Sequence, residues 1–103
     1  MKEIYTITTL KTIYGYRNPA HTYELGCRSV GFYFRLDEAT DNVVGNACDI
    51  YEEGYYPFCV IEKTYEGIYG CSLEEHWFQW IDDGYKPIEK PKELNNICGF
   101  GLG

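Results

Sequence analysis

The sequence predicts one α+β domain over residues 1–103, an antiparallel or mixed sheet of five to six strands with one main helix packed on one face. Three observations lead there. Runs of β-branched and aromatic residues are interrupted twice by the same acid-acid-glycine turn, Glu52-Glu53-Gly54 and Asp82-Asp83-Gly84, which reads as two hairpins. Only one stretch has a clear helical period: Leu36, Ala39, Val43 and Val44 make an apolar stripe while Asp37, Glu38, Thr40, Asp41 and Asn42 stay outside it. A chain of 103 residues suits one core, burying roughly two thirds of the surface its unfolded form exposes.

Glu3 to Leu10 favours extended structure through Ile4, Tyr5, Thr6, Ile7 and Thr8, and is expected inside the sheet. A long connection follows, with Gly15, Asn18-Pro19 and Gly26 as breakers, and its first part, Thr12 to Arg17, can pair as a flap. Arg28 to Phe34 is the second strand, with Val30, Phe32 and Phe34 expected on the core face. The helix then begins with acidic residues, which suit its positive end, and stops at Gly45-Asn46.

The segment Asn46 to Gly70 reads as the central hairpin: a short strand over Cys48 to Tyr51, the acidic turn, and a longer strand from Tyr55 to about Tyr65. Bulk on both alternation series predicts that this strand is covered on both faces. Pro57 belongs at a bulge or where one side is unpaired, because it cannot donate to a ladder. Glu75 to Ile81 and Tyr85 to Glu89 make the second hairpin, with glycine expected to take the positive φ of each three-residue turn. Lys92 to Asn95 can make one helical turn, and the glycine-rich close is expected as an edge strand with Phe100 and Leu102 inward. It is not expected to act as a phosphate loop, which would need a following helix to face the phosphate.

Net charge is −7, with sixteen acidic residues against nine Lys and Arg and no basic block, so direct nucleic-acid binding is disfavoured. No apolar run is long enough to span a membrane. Five cysteines without a secretory signal point to a cytoplasmic setting with five unbridged thiols. Their spacing from His21 and His76 predicts no metal site, and no cofactor motif is present. Neither histidine sits in a catalytic motif, and the carboxylate pairs fall mainly in turns. Aromatic residues reach 17%, eleven of them Tyr, which suits half-buried faces, subunit contacts or a stacking site. Apolar surface in excess of what one thin domain can bury predicts a homo-oligomer.

The residues best able to meet an anionic ligand are Arg17 and Arg28, with Tyr14, Tyr16 and Asn18 beside Arg17, because Arg offers a planar fork for phosphate and Tyr a stacking face. Trp77 and Trp80, one on each face of their strand, are the alternative platform. The order VGFYFRLDEAT, NACDIYEEGYYPFCVIEKTYEGIYG, WFQW, IDDGYKPIEKPKEL and GFGLG resembles a group of small bacterial and phage-borne proteins over most of residues 28 to 103. By analogy of class, the resemblance implies a phage anti-defence factor, a non-enzymatic protein that sequesters a nucleotide-derived signalling molecule. The alternatives are an acidic inhibitor that blocks a host defence protein and, third, a small hydrolase of nucleotide-like substrates.

Overall fold

The computed structural model describes residues 2–17, 23–65 and 72–101, with backbone alone at 16, 17, 23 and 24. Among the described residues the fold is one five-stranded antiparallel sheet with one main helix, the predicted α+β class. Strand β1 (Glu3–Leu10) runs through the interior between β4 (Cys27–Tyr33) and β5 (Phe58–Tyr65), and β6 (Glu74–Ile81) and β7 (Gly84–Ile88) complete the order β4-β1-β5-β6-β7. Within the long connection, β2 (Tyr16–Arg17) and β3 (Tyr23–Glu24) form a two-residue antiparallel ladder in a sheet of their own, so of the expected Thr12 to Arg17 pairing only the last two residues pair, and they do not extend the main sheet. No helix among the described residues is long and apolar enough to cross a membrane.

Helix α1 (Leu36–Val44) covers one face. Its buried Ala39 and Val43 meet Ile7, Cys59, Ile61, Phe78 and Tyr85, which the strand alternation aims to that side. Tyr51 stacks flat on Trp80 at 3.8 Å, and the Tyr85 hydroxyl donates to the Tyr56 carbonyl at 2.6 Å. Burial raises that phenol above its ordinary pKa range.

The opposite face buries Leu10, Val60 and Trp77 under Leu25, Leu94 and Phe100. Here the central strand carries a carboxylate, Glu62, with no solvent exposure. Its two oxygens accept backbone N–H groups from Phe100 (3.1 Å) and Gly101 (2.9 Å), while Ser29 Oγ donates to the Gly101 carbonyl at 3.3 Å. A Cβ on Gly101 would stand 2.6 Å from Thr8 Oγ1, so only glycine lets the backbone come this close. The chain end therefore lies across the sheet rather than along its edge, which corrects the expected last strand. Leu102 falls outside the described residues.

Other expectations also change. Cys48 to Tyr51 and the acidic turn are two 3₁₀ turns (Ala47–Asp49 and Glu52–Gly54), with positive φ at Asn46, Cys48, Asp49, Glu52 and Glu53 as well as at the expected Gly54. The central hairpin thus has one strand, β5, which begins after Pro57. In the second hairpin Ile81 pairs with Gly84, so the loop is Asp82-Asp83 and the positive φ belongs to Asp82, not to the glycine. Cys27, Cys48 and Cys59 are free but Cys98 is disulfide-bonded, so the expectation of five unbridged thiols fails, and with it the thiol argument for a reducing compartment.

Replacing Glu62 with Gln keeps the side chain's shape and turns one acceptor into an NH2 facing an amide donor. We expect a loss of about 1–3 kcal/mol in urea denaturation, with faster amide exchange at Phe100 and Gly101. Unchanged stability and exchange would show that the carboxylate does not hold the tail.

Candidate functional site

The predicted ligand residues do not converge. Tyr14 is 71% exposed and lines a cleft with Phe58, Gln79, Glu89 and Glu93, where carboxylates rather than cations stand at the wall. Arg28 is committed to Glu52, its guanidinium donating to the carboxylate at 2.5 Å. Trp77 is only 3% exposed, and its indole N–H donates to Glu75 at 2.9 Å while Phe100 meets its ring edge-on. Trp80 lies on the other face of the sheet, against Tyr51. Both indoles are therefore engaged in packing. The side chains of Tyr16 and Arg17, and all of Asn18, lie outside the described residues.

A different surface stands out, at the β4 edge. Phe32 is 57% and Phe34 53% exposed, with their rings edge-to-face at 5.6 Å and the Lys2 ammonium 4.2 Å over Phe34. This reverses the core-facing assignment of these residues. The cause is a β-bulge. Ile7 pairs with Gly31 and Thr8 with Ser29, which leaves Val30 as an extra residue. Val30 turns toward the helix-side core, and the alternation beyond it is shifted by one, so that Phe32 falls opposite Thr6 on the tail side of the sheet.

The two sheet edges differ in chemistry. On β7, Pro87 lacks an N–H and Lys86 is exposed, two devices that discourage a further strand from pairing. On β4 the sequence CRSVGFY contains neither proline nor lysine. Among the described residues nothing pairs with its outer side.

Beside this edge, on the helix side, is a cleft of about 160 Å³ walled by Ile7, Val30, Tyr33, Ala47 and Ile50, with the exposed Cys48 at its margin. The positive φ values at Asn46 and Cys48 fold the chain back after α1 and so form the far wall. Arrangements of this kind supply apolar contact and unpaired backbone groups. His76, the described histidine, is 3.2 Å from Glu74, and the free thiols are Cys27 on β4, Cys48 at the margin of the cleft and the buried Cys59 on β5.

The thiols report on this geometry. Cys27 is exposed as a residue, but partial desolvation of its thiol, helped by the Glu62 carboxylate, pushes it up to about 11, which leaves on the order of one thiolate in a thousand at about pH 8. Timed alkylation of native protein with mass spectrometry is expected to label Cys48 first and Cys27 more slowly, at a rate that climbs until the pH passes about 11. Cys59 should react only on unfolding and Cys98 only after reduction. Early labelling of Cys59 or Cys98 would contradict the packing described. No protein-family model, no curated protein and no solved structure matches this chain.

Proposed function

We propose that this chain is a non-enzymatic binding protein that docks onto another protein through its β4 edge, the acidic protein-directed inhibitor among the sequence readings. The observation that carries the proposal is the exposed pair of Phe32, on the edge strand β4, and Phe34, just past its end, beside an outer side that no described residue pairs with. Exposed aromatic side chains beside unpaired strand backbone are a pairing surface for another chain. Net charge of −7 keeps such a surface soluble and favours basic partners at encounter.

Sequestration of a nucleotide-like molecule draws less support from the described residues. The Tyr14 cleft carries Glu89 and Glu93, and in the cleft along β6 and β7 the Lys90 ammonium is already bonded to Glu75 and to the Ile97 carbonyl. A phosphate group would meet net negative walls there. That reading rests on Tyr16, Arg17 and Asn18.

Two measurements separate these readings. Protein purified from cells is heated and the released material analysed: protein docking returns no small molecule, sequestration returns an intact ligand, and hydrolysis returns product. In parallel, a photo-crosslinking residue placed at Phe32 is expected to give protein adducts in cells, while the same residue at Asp83, on the far hairpin turn, gives none. Equal adducts at both positions, or a stoichiometric ligand released on heating, would overturn the proposal.

A further inference from the structure

The β4 edge has chemistry on both of its faces and along its rim, and together these define what can bind it. On the helix side is the 160 Å³ cleft. An apolar cavity of about 150 Å³ accommodates a benzene ring, so this cleft has room for one aromatic or branched aliphatic side chain. On the tail side, Phe32 offers an aromatic cross-strand neighbour, the kind of residue that stabilises an adjacent strand, and Phe34, just past the end of β4, packs edge-on against it. A strand laid against Gly31 to Tyr33 alternates its side chains between these two surfaces, because strand periodicity is two. Gly31 leaves the rim open, since a Cβ there would meet nothing within 4 Å.

Charge decides which strand fits. From Leu36 to Gly54, the stretch that forms α1 and the two 3₁₀ turns beside the cleft, there are six carboxylates and no Lys or Arg. Arg28 engages Glu52, and Arg35 engages Asp37 and Glu38. Asp41 and Glu53 have no ion pair among the described residues, and Asp49 has only the Asn46 amide. Asp41 and Asp49 adjoin the cleft residues Asn42 and Cys48 in sequence. A second copy would bring an identical acidic wall to the same edge, where like charges repel.

Resting on the docking role of β4, we infer that the occupant is a basic extended segment of a partner protein, which adds to β4 as a further antiparallel or parallel strand and seats one aromatic or branched aliphatic side chain in the cleft between β4 and the Ala47–Asp49 turn. Main-chain pairing supplies attraction, the cleft selects the anchor, and the carboxylates select the charge.

The probe is a capped heptapeptide, KVKFKVK, titrated into the full chain by calorimetry and followed by amide NMR. Binding is expected with shift changes and slowed exchange at Gly31, Phe32 and Tyr33. The acidic peptide EVEFEVE should not bind, KVKAKVK should bind about tenfold more weakly, and binding of KVKFKVK should fall as salt rises from about 50 to about 300 mM. Ala47→Phe, which fills the cleft, should remove the preference for KVKFKVK over KVKAKVK. The peptide-side change carries the same test if that variant does not fold.

Equal binding of the basic and acidic peptides, no KVKFKVK binding, or shifts centred on the Tyr14 cleft would overturn the inference. So would sedimentation showing a dimer whose β4 amides are protected without peptide, which assigns the edge to a second copy. If KVKFKVK does not bind while Phe32 still crosslinks to protein in cells, the basic-strand inference fails and the docking role stands. If Phe32 gives no adducts either, the docking role fails too.

Discussion

A carboxylate in the middle of the central strand sets the terms for this fold. Glu62 is fully buried in β5, and an ionisable group taken from water without partners costs several kcal/mol, far more than its aliphatic stem recovers. The sheet cannot supply donors, because its own N–H groups are committed to the ladder. The chain end supplies them. Phe100 and Gly101 give one N–H to each oxygen, and a carboxylate accepting from backbone amides makes stronger bonds than a neutral acceptor does. Once the amides are placed, Phe100 has to lie against Trp77 and over Val60, closing the apolar cluster on that face. The polar contact and the hydrophobic cluster therefore hold each other, linking residues about forty positions apart in sequence.

Because the tail and α1 cover the two faces, the open surfaces of the sheet are its edges. Proline and lysine close one of them, and the other is irregular. A bulge is a common guard on an edge strand, since it twists the strand and interrupts the row of pairing groups. Here it also exposes two phenylalanines. Burying one such ring stabilises by roughly 1.5–3 kcal/mol, and the shifted register places Tyr33 rather than Phe32 opposite Tyr5, so that Tyr33 packs on the helix-side core while Phe32 stays in water. The exposure of Phe32 and Phe34 beside unpaired strand backbone is the physical reason for reading the edge as a binding surface.

Much of the architecture was legible because it follows from periodicity. β1, α1, β6 and the second hairpin lie within a residue or two of where alternation and turn chemistry put them, and the covering of β5 on both faces follows from its bulk at every position. What was not legible depends on single residues with no local mark. Val30 is an ordinary strand residue, and its bulge is visible only in the pairing with Ile7 and Thr8, so the outward turn of Phe32 and Phe34 could not be read from β4 alone. Cys48, Asp49, Glu52 and Glu53 take left-handed backbone without being glycine, which defeats a propensity-based strand assignment. Glu62 did carry a signal, as the one acidic residue in FCVIEKTY, but its partners are backbone amides at the chain end, which have no sequence signature.

Acidity and the open edge also constrain each other. An edge strand with exposed aromatics and no proline or lysine is a template for self-pairing and aggregation wherever its bulge does not interrupt it. Proline or lysine placed in β4 would prevent that, and would equally prevent any partner from pairing. The carboxylates of α1 and the 3₁₀ turns act differently, because they repel an identical neighbour while attracting a basic one. The effect is tunable by ionic strength, since exposed charges are screened beyond about 10 Å at 0.1 M salt. Charge placed beside the edge, rather than in it, leaves the strand able to pair and restricts what it pairs with.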